Sequence, residues 1–264
     1  MRIALVRDVS PALENCELSF QPRVPIDLEL ARRQHRDYVD TLAALGCRVE
    51  TLPPLPDNPD AVFVEDTAVV LDEIAIVTRP GAESRRAETD SSAAALARYK
   101  KLAYIEAPGT LDGGDVLTVG RTLYVGLSAR SNHAGIEQLR AHLTPHGYRV
   151  ESVTLKGCLH LKTAATQVGL LKNAATEVAP GLLLINPEWV DKSAFHGVDF
   201  IEVDPAEPFA ANAVLIGDEL VYPESFPRTR ARLEQAGIKV NAVDMSETEK
   251  AEGGVTCCSL LFQA

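Results

Sequence analysis

The chain has 264 residues, 46% of them hydrophobic, and a formal charge of -11 from 26 basic and 37 acidic side chains. That length and apolar content suffice for a sizeable core, and the negative balance speaks against binding nucleic acid or an anionic membrane while suiting a small cationic ligand. No apolar run is long enough to span a bilayer, Met1 to Arg7 is too short and too soon charged for a signal peptide, and five sparse cysteines do not resemble a disulfide framework, so reduced thiols and a cytoplasmic location are expected.

The first strand is expected at Ile3 to Val6. Asp8 to Val24 follows as a long polar loop carrying Cys16, Leu18 and Phe20, of a length that in compact domains is functional or mobile. Helix-spaced apolar residues predict a helix from about Ile26 to Leu45 with Gly46 as its stop, then a strand at Arg48 to Leu52.

That helix, glycine, strand pattern recurs. Ala94 to Tyr99 leads into Leu102 to Ile105, and Ile136 to Leu143 leads through Gly147 into Val150 to Leu155. Further on, Trp189 to His196 leads through Gly197 into Phe200 to Val203, and Arg228 to Ala236 through Gly237 into Lys239 to Val243. β-Hairpins are expected between these units at Thr67 to Val77, Val116 to Val125, Thr166 to Leu184 and Ala213 to Val221. The fifth hairpin lacks one strand at the C-terminal end, which Ile3 to Val6 can supply, closing a ring. Taking Asp66, Asp115, Lys162, Asn212 and Cys258 as equivalent positions, the period is about 46 to 50 residues, the signature of an array. The reading is a single α/β domain over residues 1–264, a propeller of five ββαβ blades about a pseudo-fivefold axis, with strands inside and helices outside. A doubly wound parallel sheet fits less well, because its units carry one strand per helix.

Near the end of the chain, Gly253-Gly254-Val255-Thr256-Cys257-Cys258 sets a thiol where a glycine turn gives way to an apolar strand expected at Ser259 to Phe262. Alone this stretch fits a buried small hydrophobe at least as well as a nucleophile. Equivalence of the five units changes the weighting, because the polar turns that begin the hairpins would then meet at one end of the axis. They carry Asp60, Glu65 and Asp66, then Asp112 and Asp115, then His160, Asn212 and Cys257. Thiol, imidazole and carboxylates would converge there, as nucleophilic catalysis requires. Each also has a plainer reading: His160 between Leu159 and Leu161 fits a satisfied core histidine, and Asp112 fits a cap on the Gly113-Gly114 turn. On a strand, Cys158 and His160 would share a face and could join Cys257 in a metal site, but the Cys-x-x-Cys spacing of structural zinc is absent and no metal is expected. Gly113 and Gly114 lack a phosphate-loop context.

The segments PDAVFVED (59–66), TRPGAESRRAET (78–89), APGTLDGGDVL (107–117), GLSARSN (126–132), LHLKT (159–163) and EGGVTCCSL (252–260) carry a family likeness. Through them the chain resembles the dimethylarginine dimethylaminohydrolases, members of the guanidino-group-modifying (pentein) superfamily, over nearly its whole length. The resemblance implies a five-bladed α/β propeller, in agreement with the repeat count. It further implies a hydrolase acting on C–N bonds of linear amidines, converting Nω-methylated arginine to citrulline and methylamine or dimethylamine. By this likeness Cys257 is the nucleophile, His160 the general acid and base, and Asp112 the carboxylate that orients the imidazole. Glu65 and Asp66 clamp the guanidinium, Arg85 and Arg130 receive the amino acid's carboxylate, Asp60 is a further substrate position, and Leu18 sits in a loop lid. The likeness requires neither cofactor nor metal, makes a free guanidino amino acid the partner, and leaves a homodimer open. A deiminase acting on another free guanidino amino acid, an amidinotransferase and a non-catalytic binder of cationic amino acids stay as alternatives.

Chemistry suits the set. A guanidinium is a planar, cationic, poor electrophile, so it must be held by carboxylates and met by a strong nucleophile such as a thiolate. Acidic neighbours should raise the Cys257 pKa, and a bound cation should lower it again.

Overall fold

Fifteen strands form five three-stranded sheets in a computed structural model that describes residues 1–170 and 181–264. In four sheets a hairpin is followed by an outer crossover that returns a third strand parallel to the second. These are Ala68–Val70, Ile74–Val77 and Lys101–Tyr104; Val116–Val119, Thr122–Leu127 and Arg149–Thr154; Ala165–Leu170, Gly181–Ile185 and Val198–Glu202; and Val214–Ile216, Glu219–Pro223 and Lys239–Val243. The remaining sheet joins the chain ends. Leu260–Gln263 pairs antiparallel with Arg2–Arg7, with Ile3 opposite Phe262, and Arg2–Arg7 pairs parallel with Arg48–Leu52. The ring expected from the repeat is therefore closed by the first strand.

The packing follows the same fivefold plan. Apolar side chains gather in five clusters, each drawn from two neighbouring blades: Ile3, Leu5 and Phe262 meet Val64, Ala75 and Leu96 in one, and Val168 and Leu184 meet Leu220 and Leu233 in another. A blade alone would leave both faces of its sheet wet, so burial is gained only by closing the ring. Inner strands of neighbouring blades touch one another, as Leu260–Gln263 does Ala68–Val70 and Val116–Val119 does Ala165–Leu170.

Outer helices are Leu28–Ala44, Thr89–Leu96, His133–Leu143 and Pro227–Gln235. Asp27 caps the first by accepting from Leu30 N at 3.0 Å. Gly46 and Gly237, at φ of 86° and 82°, let the chain leave its helix in the left-handed region and turn straight into a strand. That is the physical content of the repeated helix, glycine, strand signal.

Two expectations are corrected. Trp189 to His196 forms no α-helix, only a 3-10 turn at Lys192–Ala194. An isolated antiparallel bridge joins Val190 to Leu155, Lys156 N donates to Trp189 O, and the Asp191 side chain caps the 3-10 turn by accepting from Ser193 N at 2.8 Å. Cys158 and His160 do not share a strand either, since His160 is the extended residue leading into a single helical turn, Leu161–Ala164. The turn of the hairpin expected over 166–184 lies outside the described residues.

Candidate active site

The residues that begin each inner strand gather at one end of the axis. Cys257 lies in the turn before Leu260–Gln263, where it is partly buried while Cys258 is fully buried in the apolar cluster with Tyr38 and Val255. The turn is made compact by its glycines: a Cβ on Gly253 would fall 2.1 Å from the Phe63 ring, and one on Gly254 2.5 Å from Asn212 Oδ1. Gly254 N–H points at Cys257 Sγ at 3.4 Å, and Cys257 O accepts from Glu65 N at 3.1 Å, which ties the thiol's turn to the first carboxylate turn.

His160 is buried, with Nε2 3.1 Å from Asp112 Oδ2 and Nδ1 3.9 Å from Asp66 Oδ1. Asp112 is held in turn, its Oδ1 accepting from Gly81 N at 2.9 Å and its own N–H donating to Ser131 Oγ. Gly114 N donates to Asp66 Oδ1 at 2.9 Å, and any side chain at Gly114 would strike the imidazole, its Cβ 2.7 Å from Nδ1. The TLDGGD segment thus presents a carboxylate to one edge of the ring and makes room for the other.

Arg85 sits at the centre of a buried ion cluster. Nη1 meets Asp66 Oδ2 at 2.6 Å, Nε and Nη2 meet Glu88, and Nη2 also donates to the carbonyls of Asp60 and Phe63. Removing one charge from such a cluster strands the rest, at about 3 to 5 kcal/mol. Arg130 differs: its backbone N–H donates to Ser128 Oγ, and its guanidinium has no protein hydrogen bond among the described residues. Asp60, Asp66, Arg85, Arg130, His160 and Cys257 line one small cavity of about 20 Å³, together with Ala251 to Gly253.

Glu65 faces elsewhere. Lys162 Nζ donates to its Oε1 at 2.6 Å and Thr256 Oγ1 to its Oε2 at 2.7 Å, and all three line a separate axial cavity of about 300 Å³ walled by the inner strands. Glu65 and Asp66 are therefore not brought together as a pair around one space. Leu18 is half-buried in the long first loop, packed against the cluster behind Cys257. On one side of it Glu17 N donates to Asp60. On the other, Ser19, Phe20 and Gln21 donate three successive N–H groups to the carboxylate of Glu252, whose φ is 58°.

Three further side chains shape the site, two of them, Lys162 and Glu252, missing from the sequence-based set and the third, Asp115, expected there without a role. Lys162 neutralises Glu65, and Glu252 ties down the loop. Asp115 takes Leu161 N on Oδ1 and both Ser128 and Ser131 hydroxyls on Oδ2, so one buried carboxylate links the segments bearing His160, Arg130 and Asp112. For Lys162 the available signal is a lysine at the repeat position that carries Asp66 and Asp115 in the neighbouring units.

The electrostatics separate the players. Burial first, then the Glu65 and Asp66 carboxylates, push the Cys257 thiol up to about 12. The direction is the one expected, with burial the larger cause. Burial opposes a charge on His160, but Asp66, Asp115 and the hydrogen bond to Asp112 outweigh it and raise the imidazole to about 9. Burial likewise opposes ionisation of Asp66, yet His160, Arg85 and Gly114 N hold it below the usual carboxylate range. Asp115 is pushed up to about 6, chiefly by burial. At neutral pH the resting site is thus a thiol beside an imidazolium.

Asp66, Asp112 and His160 bring one donor atom each within 4.8 Å, as a metal site would. Those donors are already engaged by Arg85, Gly114 N, Gly81 N and one another, and the guanidinium 2.6 Å from Asp66 is a resident cation. The cluster is satisfied without an ion. Cys158 joins no such group among the described residues, its Sγ lying 3.6 Å from His160 O.

A five-bladed propeller of this topology defines the pentein class of α/β proteins. The model of the eukaryotic N,N dimethylarginine dimethylhydrolase family matches residues 16–172. An N(G),N(G)-dimethylarginine dimethylaminohydrolase of Pseudomonas aeruginosa is 38% identical over 238 residues, 89% of this chain and 90% of its own, and one of Streptomyces coelicolor is 40% identical over 258 residues, 97% and 95%. A solved structure of the Pseudomonas enzyme, a cysteine-to-serine variant complexed with citrulline, superposes with a TM-score of 0.90 at 36% identity, covering 98% of each chain. The chain belongs to the dimethylarginine dimethylaminohydrolase family.

Proposed function

We propose that this protein, acting as one catalytic domain, hydrolyses free Nω-methylated arginine to citrulline and methylamine or dimethylamine, with Cys257 as nucleophile. The observation that carries the reading is the single cavity in which a thiol, an imidazole bonded to Asp112, the Asp66 carboxylate and two arginines meet. The guanidinium lies against Asp66, and the substrate's α-carboxylate turns to Arg130 and Arg85. Arrival of a cation opposes the burial and carboxylate effects that hold the thiol protonated, so the substrate favours ionisation of its attacker. The thiolate forms an S–C bond at the guanidinium carbon. His160 gives its proton to the departing nitrogen as that C–N bond breaks, leaving a thiouronium on Cys257. The now neutral imidazole takes a proton from water, whose oxygen attacks the same carbon, and citrulline leaves as the C–S bond breaks. Glu65, paired with Lys162, takes no direct part, and the scheme needs no metal or cofactor.

Incubation with Nω,Nω-dimethylarginine, Nω-methylarginine and arginine, following citrulline and each amine by mass spectrometry, tests the reading. Citrulline with dimethylamine is expected. Citrulline from arginine alone would instead assign a deiminase, and no turnover with retained binding a cationic amino acid binder. The five free thiols, each unbridged among the described residues, support action in the cytoplasm.

A further inference from the structure

Cys257 borders a second cavity, which shares Glu252 and Gly253 with the charged one and is lined by neither Asp66 nor Arg85. It holds about 340 Å³, where the charged cavity holds about 20 Å³. Thr163, whose N–H donates to His160 O, and Asn212, which accepts Thr256 N, form the walls nearest the thiol. Farther out the lining turns apolar: Phe209 and Phe226, each half-buried, with Pro22, Val24 and Pro223. Phe209 is braced edge-on by Trp189 at 4.9 Å between centroids, and Phe226 by Tyr222 at 6.5 Å, so neither ring is a loose surface residue.

One acidic group on this lining has no cationic partner among the described residues. Glu249 Oε2 accepts from Ser225 Oγ at 2.8 Å, while Oε1 is buried with no hydrogen-bond partner among the described residues. Oε1 is sealed from solvent, so Glu249 acts on a cation in the cavity through its charge rather than through that oxygen. The one cation on the lining, Lys250, is committed to Glu247 at 2.7 Å and to Pro25 O, and Glu252 is occupied by the three N–H groups of the first loop. Aromatic rings with a carboxylate nearby are the chemistry that recognises a small alkylammonium ion.

We propose that this cavity is the subsite for the leaving amine: it receives the N-alkyl groups of the bound guanidinium and holds the released amine as an alkylammonium ion against Phe209, Phe226 and Glu249. The inference rests on the reading of Cys257 as nucleophile, because it places the substituent in the larger of the two cavities that the thiol lines. It also goes further than that reading. The space is roughly ten times the 30 Å³ share of one liquid water, far more than two methyl groups fill, so substrates with longer chains belong to the accepted class.

Two measurements test it on the whole protein. In the first, kcat/KM is followed for Nω-methyl, ethyl, propyl and butyl arginine. The wild type should stay within about tenfold across the series, and Phe226→Leu should favour the longer chains relative to methyl. A loss beyond about a hundredfold on passing from methyl to propyl would overturn the proposal. In the second, n-butylammonium chloride is titrated into the protein by calorimetry. Saturable binding is expected, weakened about tenfold by Glu249→Gln and by Phe209→Leu, with melting temperatures recorded to show that the variants fold. No saturable binding, or binding indifferent to both variants, overturns it. Failure to release citrulline from any substrate would refute the proposed activity instead, and the butylammonium titration would still decide the cavity.

Discussion

Where Cys257 meets the charged cavity, of about 20 Å³, Asp66, Arg85 and His160 are buried and nearly every polar atom they carry is held by a carboxylate, a backbone group or one another. Where it meets the second cavity the walls include two phenylalanines and two prolines, the space is many times larger, and the carboxylate of Glu249 stands without a cationic partner among the described residues. The charged side is directional: a group that misplaces one hydrogen bond leaves a buried charge stranded. The apolar side is nearly indifferent to direction and discriminates by size alone. A guanidino amino acid with a variable N-substituent calls for both, strictness toward the constant end and tolerance toward the variable one.

The comparison breaks most completely at the residue both sides share. Cys257→Ser is expected to lose citrulline formation by several orders of magnitude, while Cys258→Ser, whose thiol is sealed in the core, keeps most of it. Substantial turnover by the Cys257 variant would remove the nucleophile assignment. Next in size is Asp66→Asn, which takes one partner from Arg85 and His160 together. It should cost about 3 to 5 kcal/mol of folding stability in a denaturant titration, besides abolishing capture of the cation. Equal stability of variant and wild type would show that the charged side is less tightly coupled than its distances imply.

Arg130 sharpens the contrast within the charged side, since it alone of the two arginines has an uncommitted guanidinium. Arg130→Ala should raise KM about ten- to a hundredfold for free methylarginine and leave the already poor handling of the amide nearly unchanged. If the wild type turns over amide and acid alike and the variant matches it on both, Arg130 is structural.

The fold was legible in the sequence because its repeat is written in hydrophobic period and turn glycines, which local physics reads directly. Gly46 and Gly237 stand where the chain has to reverse hand. The composition of Trp189 to His196 suits a helix, but a bridge to Leu155, distant in sequence, and a 3-10 turn capped by Asp191 take its place. For the site, the residue types showed which side chains gather but not which way they face. Glu65 and Asp66 are neighbours in sequence, yet one turns to Lys162 and the other to Arg85. Nor could spacing show the apolar side, since Phe209, Phe226 and Glu249 come from two blades and carry no motif.

The smallest expected effect concerns Asp115, which touches no substrate and acts on the charged side through His160. The resting site holds a thiol near 12 and an imidazolium near 9, whereas the attacking form, thiolate with imidazolium, has one proton fewer. For wild type, kcat/KM should therefore climb about tenfold per pH unit and level off near 9, where His160 begins to lose its proton. Asp115 helps hold that proton, so Asp115→Asn should lower the His160 pKa, moving the break to lower pH and reducing the plateau while the rising limb stays in place. The substitution also removes the acceptor shared by Ser128 and Ser131, and a purely architectural role would lower the whole curve without moving its break. A break that stays put in the variant makes Asp115 a brace for the turn alone. A downward shift shows that the carboxylate sets the charge on the acid that releases the amine.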